Sequence, residues 1–262
     1  MAGLRVHLRD TGPRNAPTVL LLHGFGSSLQ TWDDWAADLE RDYRVVRFDL
    51  PGAGLTGEDS TGNYSDDRSV QIITGVLDSL GITHATLVGN SLGGRIAWYF
   101  AAMHPERVDR LLLVSPDGFA SVGFEYGKAP EVPAAVALMR YVLPKPLMRA
   151  ALAPAYADRS RLSDSVVTRY YELLLAPGVR HALLDRLRQS VLQPPEPLLR
   201  RITAPTMLLW GVQDSLIPFT NSADYLRVMP QATLVPMAGV GHVPQEERPI
   251  ESVAEVLRFL QQ

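Results

Sequence analysis

The chain alternates short apolar runs with longer segments in which apolar residues recur every three or four positions. Short continuous apolar runs predict buried strands, and the longer periodic segments predict helices. The predicted strands cover residues 4–10, 18–22, 43–49, 85–88, 108–114, 205–211 and 232–237. Residues 4–10 alternate apolar and polar side chains and predict an edge strand. The alternation of strands and helices predicts an α/β fold, a mostly parallel twisted sheet with helices on both faces.

This alternation lapses between residues 115 and 201. Proline is frequent there, and the apolar runs at 136–143, 166–175 and 183–192 have a helical character with no strand signal between them. We therefore predict a helical cap of residues 117–201, inserted between two strands of a core formed by residues 1–116 and 202–262.

The composition narrows the classes of function. The chain has 262 residues, a net charge of -3 and no cysteine. Without a basic excess no nucleic-acid partner is predicted, and without cysteine a disulfide, a thiolate metal site and a thiol nucleophile are excluded. The amino terminus lacks an apolar signal region and no run approaches membrane-spanning length, which predicts a cytoplasmic protein without a membrane partner. A chain from which a signal peptide had been removed would show the same pattern.

The segment 84–103 carries the first candidate for chemistry. An apolar strand stops at Gly89-Asn90-Ser91-Leu92-Gly93-Gly94, and a segment rich in helix formers begins at once. A serine at a sharp turn from strand to helix, with glycines two residues before and after it, is typical of a nucleophile elbow. Ser91 is the predicted nucleophile.

A serine nucleophile needs an imidazole to accept its proton and a carboxylate to orient that imidazole. Of the six histidines, His242 lies in a glycine-containing loop after the last predicted strand, whereas His23 is expected to hold the loop that it begins. Asp214 and Asp117 each follow a buried strand, and both satisfy the chain order of nucleophile, acid and base. We favour Asp214, because its strand directly precedes the strand that leads to His242.

Six segments together resemble enzymes of the α/β-hydrolase fold along nearly the whole chain. They are His23-Gly-Phe-Gly26 with Trp32 beyond it, Asp49-Leu-Pro-Gly-Ala-Gly54, Gly89-Asn-Ser-Leu-Gly-Gly94, His104-Pro-Glu-Arg-Val108, Gly211-Val-Gln-Asp214 and Gly241-His242. The resemblance implies a catalytic triad of Ser91, Asp214 and His242. It also implies an oxyanion hole formed by the backbone N–H groups of Phe25 and Leu92.

The activity expected from this resemblance is hydrolysis of a small hydrophobic carboxylic ester through an acyl-enzyme on Ser91, with no metal and no organic cofactor. Leu216, Ile217 and Val243 adjoin predicted triad residues and are the candidate substrate contacts. Apolar and aromatic side chains of the cap are further candidates for a pocket lining. They are Phe119, Phe124, Tyr126, Met139, Tyr141, Leu143, Leu147 and Met148.

Three other functions stay open. The elbow is similar to that of hydrolases that cleave carbon–carbon bonds in vinylogous diketones from aromatic ring fission, although those enzymes usually have a tryptophan where this chain has Val243. Cofactor-free haloperoxidases or perhydrolases share the triad, and some members of the fold only bind ligands. Haloalkane dehalogenases and epoxide hydrolases are disfavoured, because they have an aspartate in place of Ser91. No oligomeric state is predicted.

Overall fold

A computed structural model of the protein describes residues 3–121 and 125–262. In this part of the chain, seven strands form one sheet in the order β1-β3-β2-β4-β5-β6-β7. Strand β1 is antiparallel to β3, and every other neighbouring pair is parallel. The strands are β1 (Leu8–Thr11), β2 (Thr18–Leu22), β3 (Arg44–Phe48), β4 (Ala85–Asn90), β5 (Val108–Val114), β6 (Thr206–Gly211) and β7 (Thr233–Met237). The predicted mostly parallel α/β sheet is confirmed.

The central strands are buried on both faces because helices cover each side of the sheet. Val19 and Leu21 of β2 face one apolar cluster, whereas Leu20 and Leu22 face another. Burying one such side chain stabilises the fold by about 1.5–3 kcal/mol. The apolar runs of the sequence are therefore continuous rather than alternating.

The helices of the sheet domain follow the strands in sequence. They are α1 (Asp33–Leu39), α2 (Asp66–Ser79), α3 (Leu92–Met103), α9 (Asn221–Val228), α10 (Pro244–Glu247) and α11 (Pro249–Leu260). The α1 and α11 helices pack together on one face, and α2 and α3 pack on the other. The side chain of Ser65 caps α2 by accepting a hydrogen bond from the N–H of Arg68. None of the helices in the described ranges is long and apolar enough to cross a bilayer.

The described chain between β5 and β6 contains helices and turns but no strand of the sheet. Its helices are α4 (Ala134–Ala137), α5 (Lys145–Leu152), α6 (Asp164–Leu174), α7 (Val179–Gln189) and α8 (Glu196–Leu199). Met148, Tyr156, Val167, Leu174 and Leu183 belong to a third apolar cluster, separate from the two clusters that cover the sheet. The helical character predicted for this insertion is confirmed, while its boundaries at 117 and 201 stay a prediction.

Two predicted elements differ from the structure. The first strand begins at Leu8 rather than at residue 4, because Leu8 is the first residue paired with β3, whereas Leu4 packs into the core. The helix predicted over 136–143 is the four-residue α4, followed by a 3-10 turn at Leu138–Arg140. Leu138 and Tyr141 are exposed, so this segment lacks the packing that would extend the helix.

Candidate active site

Ser91 lies at the turn between β4 and α3, where the backbone is strained. Its φ of 54° and ψ of -119° are unusual for a residue other than glycine. A Cβ added to Gly89 would lie 2.2 Å from the carbonyl oxygen of Gly93, and one added to Gly93 would lie 2.2 Å from that of Leu22. Both glycines are therefore required for the sharp turn that presents Ser91.

His242 and Asp214 lie side by side at the carboxyl edge of the sheet. Nδ1 of His242 is 2.7 Å from Oδ2 of Asp214, and both residues are buried. Oδ1 of Asp214 accepts hydrogen bonds from the N–H groups of Leu216 and Ile217, at 2.8 and 2.9 Å. A carboxylate held in this way fixes the orientation of an imidazole and stabilises its protonated form, leaving Nε2 for proton transfer.

Asp117, the other candidate acid, lies next to a different partner. Its Oδ2 is 3.2 Å from Nη1 of Arg95, and Arg95 also donates to Oδ1 of Asp66. Burial raises the pKa of Asp117, although Arg95 acts in the opposite direction. The structure thus brings Asp214, and not Asp117, to the ring of His242.

The loop that contains Phe25 lies beside the elbow. A Cβ placed on Gly24 would lie 3.3 Å from the Cβ of Ser91, so the backbone of this loop approaches the serine closely. Nε2 of His23 accepts a 2.9 Å hydrogen bond from the N–H of Leu50, and Nδ1 lies 2.8 Å from the carbonyl oxygen of Gly24. Burial lowers the pKa of His23, in keeping with a neutral ring. His23 therefore holds this loop in place, as predicted.

Leu92 is the first residue of α3, next to Ser91. The first N–H groups of a helix have no acceptor within that helix, so they are available to an oxygen bound outside its N-terminus. Leu92 thus directly follows the serine, and Phe25 directly follows Gly24, whose backbone approaches the serine. An oxyanion hole formed by the N–H groups of Phe25 and Leu92 stays a prediction.

The three predicted substrate contacts have different surroundings. Leu216 is 44% exposed, whereas Ile217 packs in the core of the sheet and Val243 packs in the apolar cluster of the cap. Leu216 is thus the one of the three that leaves a large apolar surface exposed beside Asp214.

The apolar cap residues that were candidates for the pocket lining also differ in burial. Phe119 packs edge-on against Tyr225 in the main core, and Met148 is buried inside the cap. Met139 and Leu143 pack partly buried against the cap cluster, and Tyr126, Tyr141 and Leu147 are exposed. Phe124 lies outside the described residues.

Two buried polar residues of the site were missed by the sequence analysis. The side-chain amide of Asn90 donates to the carbonyl oxygens of His242 and Val114, at 3.0 and 3.1 Å. Val114 also accepts the N–H of Ser91. Nε2 of Gln245 lies 3.3 Å from Oδ1 of Asn90. The signal for Asn90 was present in the sequence, since an amide at the end of an apolar strand needs buried hydrogen-bond partners.

Comparison with known proteins identifies a family and several relatives of this chain. A family model described as alpha/beta hydrolase fold matches residues 17–249. The chain is 30% identical over 270 residues to a 2-hydroxy-6-oxononadienedioate/2-hydroxy-6-oxononatrienedioate hydrolase of Burkholderia vietnamiensis (strain G4 / LMG 22486), with 98% of this chain and 91% of the relative covered. It is 30% identical over 268 residues to a 2-hydroxymuconate semialdehyde hydrolase of Pseudomonas sp. (strain CF600), with 99% and 91% covered.

A solved structure agrees with these relatives. The meta-cleavage product hydrolase of Pseudomonas fluorescens IP01 superposes with a TM-score of 0.83 and 27% identity, over 99% of this chain and 95% of that one. The expectation of carboxylic ester hydrolysis as the main activity is wrong in the light of these comparisons, because these relatives are named for a different substrate class. The physical reason is that a serine activated by an imidazole attacks a ketone or aldehyde carbonyl as it attacks an ester carbonyl. An oxyanion hole stabilises the anion that forms in each case, so these residues do not specify the bond that breaks.

Proposed function

We propose a function from one premise: this chain belongs to the alpha/beta hydrolase fold family. Within that family, we infer that it hydrolyses a carbon–carbon bond in a vinylogous diketone, or in the corresponding keto-aldehyde, produced by ring fission of an aromatic compound. The observation that carries this inference is the similarity to hydrolases of such compounds over 98–99% of the chain. The substrate is a small molecule, and the products are a carboxylic acid and a hydroxydienoate.

The chemistry starts at the carbonyl carbon that becomes the acid. Ser91 Oγ attacks this carbon while Nε2 of His242 takes the hydroxyl proton, and Asp214 stabilises the imidazolium. The backbone N–H groups of Phe25 and Leu92 hold the oxygen anion that forms. The proposed roles agree with the 2.7 Å contact between His242 and Asp214 and with the position of Leu92 at the start of α3.

When the carbon–carbon bond breaks, its electron pair stays on the leaving group and must be stabilised there. In the keto form of a ring-fission product, the pair passes along the conjugated chain to the distant oxo group, so the leaving group is a stabilised enolate. The imidazolium of His242 returns its proton to that leaving group. Water, activated by the same histidine, then hydrolyses the acyl group from Ser91 and releases the acid.

Val243 bears on the range of substrates. The ring-fission hydrolases that the elbow resembles usually have a tryptophan directly after the histidine, and this chain has a buried valine. Leu216, beside Asp214, is the exposed apolar candidate for the wall of the pocket. We therefore vary the acyl group of the substrate in the test.

The test compares ring-fission dienoates with esters on the same purified protein. The panel contains 2-hydroxymuconate semialdehyde, 2-hydroxy-6-oxo-2,4-heptadienoate and its 6-phenyl analogue, with p-nitrophenyl esters from acetate to palmitate. We expect kcat/KM for the best dienoate to exceed that for the best ester by about 100-fold, since specificity is the ratio of these constants. Ser91→Ala is the control and should abolish consumption of the dienoate. A wild-type protein that cleaves esters but leaves every dienoate intact would contradict the proposal.

A further inference from the structure

A fully buried carboxylate, Glu247, lies five residues after His242. Oε2 of Glu247 accepts hydrogen bonds from the N–H groups of Gly241 and Ala157, at 2.7 and 3.3 Å, and Oε1 accepts one from the N–H of Asp158 at 2.6 Å. The one-turn helix α10 makes this possible, because the N–H of Glu247 donates back to the carbonyl oxygen of Val243. One side chain thus binds both the loop that contains His242 and the turn 154–158 of the cap.

The same two segments also meet through their backbones. The N–H of His242 donates a 2.7 Å hydrogen bond to the carbonyl oxygen of Ala155. Gly241 has no room for a side chain, because a Cβ there would lie 2.5 Å from that same oxygen. The loop after β6 is attached as well, since Oγ of Ser215 donates to the carbonyl oxygen of Pro154 at 2.7 Å. The turn 154–158 therefore contacts the loops of both His242 and Asp214.

We propose that Glu247 is a positioning residue, which fixes the His242 loop against the turn 154–158 and so sets the position of the imidazole relative to Ser91. This inference rests on the proposed function of His242 as the general base. One of the three hydrogen bonds to the Glu247 carboxyl comes from the His242 loop and two come from the turn 154–158, so this side chain links the two segments directly. A displacement of about 1 Å at a reacting group can lower a rate by ~100-fold.

The variant Glu247→Gln tests this role with little change in size. In this variant an NH2 group replaces one of the two carboxylate oxygens. At least one backbone N–H that donates to an oxygen in the wild type then faces this NH2 group, so at least one of the three hydrogen bonds is lost. We expect kcat for the dienoate to fall by about 10–100-fold while KM changes by less than about threefold. We expect a parallel fall in the rate at which a fluorophosphonate labels Ser91. A purely structural role would lower the melting temperature without slowing the labelling of the folded protein.

The matched control is Asp10→Asn, which makes the same chemical change in another buried carboxylate. Asp10 is bound by Arg44 at the amino end of β3, far from the candidate site. We expect this variant to unfold at a lower temperature and to be labelled at the wild-type rate. Labelling of folded Glu247→Gln at the wild-type rate would overturn the inference.

A second pair of variants tests the same hydrogen bonds from the cap, in case Glu247→Gln does not fold. Asp158→Pro and Asp158→Ala both lose the side chain that caps the next turn, but only the proline lacks the N–H that binds Glu247. The φ of -95° at this partly exposed residue lies close to the range of proline. We expect slower labelling of Ser91 in the proline variant alone, and equal rates in the two variants would overturn the inference.

These outcomes separate the inference from the proposed function. Slow labelling of Glu247→Gln in a protein that consumes no dienoate would support the positioning role and refute the substrate class. Dienoate cleavage with unchanged labelling would support the substrate class and refute the positioning role. A wild-type protein that is not labelled at all would overturn both.

Discussion

Arg95 lies between Asp117 and Asp66, with its Nη1 3.2 Å from Oδ2 of Asp117. The guanidinium is almost fully buried on α3, and Asp66 begins α2. This ion pair explains why a second aspartate follows a buried strand close to the elbow without reaching His242. It also makes the two aspartates separable by experiment.

Asp214→Asn should reduce activity far more than it reduces stability. An amide in place of the carboxylate cannot stabilise the imidazolium of His242 and favours the wrong tautomer, so we expect kcat to fall by roughly 10⁴-fold. Steady-state kinetics with the best substrate, together with thermal unfolding, measures the two effects. Activity within tenfold of the wild type would show that Asp214 is not the acid.

Asp117→Asn provides the comparison for that variant. The asparagine oxygen can still accept a hydrogen bond from Arg95, and Asp66 keeps its own contact with the guanidinium. We expect the free energy of unfolding to fall by less than about 2 kcal/mol and kcat to stay within about threefold of the wild type. A loss of kcat as large as that of Asp214→Asn would contradict this assignment.

The sequence predicted the features that depend on residues close together in the chain. The apolar runs located the central strands closely, because helices bury both faces of these strands, and the glycines around Ser91 marked a turn that tolerates no Cβ. Asn90 was missed although its place at the end of an apolar strand was a signal, whereas Gln245 was missed because its partner Asn90 lies far away in the chain. The substrate class was wrong because the residues that attack a carbonyl are the same for an ester and for a ketone.

Gly93→Ala should prevent folding or lower the free energy of unfolding by more than about 4 kcal/mol. The added Cβ would lie 2.2 Å from the carbonyl oxygen of Leu22 and 2.6 Å from that of His23, and these backbone atoms of the central sheet cannot move aside. The measurements are soluble yield and urea unfolding. The prediction fails if the variant is as stable as the wild type.

Gly62→Ala is the control for backbone strain without a clash. Gly62 has a φ of +63°, and a Cβ there would meet no atom within 4 Å. The expected cost is therefore only the strain of a left-handed conformation, about 1–2 kcal/mol. A loss as large as that of Gly93→Ala would show that the steric argument at the elbow is wrong.

Asp59 should make part of the stability depend on pH. Burial acts to raise the pKa of Asp59, but hydrogen bonds from Arg68 and Thr61 outweigh it and hold this pKa below its usual value. A carboxyl whose pKa is lowered in the folded state contributes stability above its unfolded pKa of about 3.9, and this contribution disappears as the pH falls through the folded pKa. Asp59→Asn should therefore lower the free energy of unfolding by about 3 kcal/mol at pH 7. We expect the difference from the wild type to narrow between about pH 4 and pH 2.

Urea unfolding of both proteins at pH 7, 5 and 3 measures this difference. Asp78→Asn is the control, because Asp78 pairs with Arg107 at the surface with 59% of its side chain exposed. An exposed pair of this kind contributes at most about 1 kcal/mol, so its removal should change stability little at any pH. If the difference between the wild type and Asp59→Asn were the same at pH 7 and pH 3, the charge of Asp59 would not be the source of its effect. The contribution would then come from hydrogen bonds that the asparagine cannot replace.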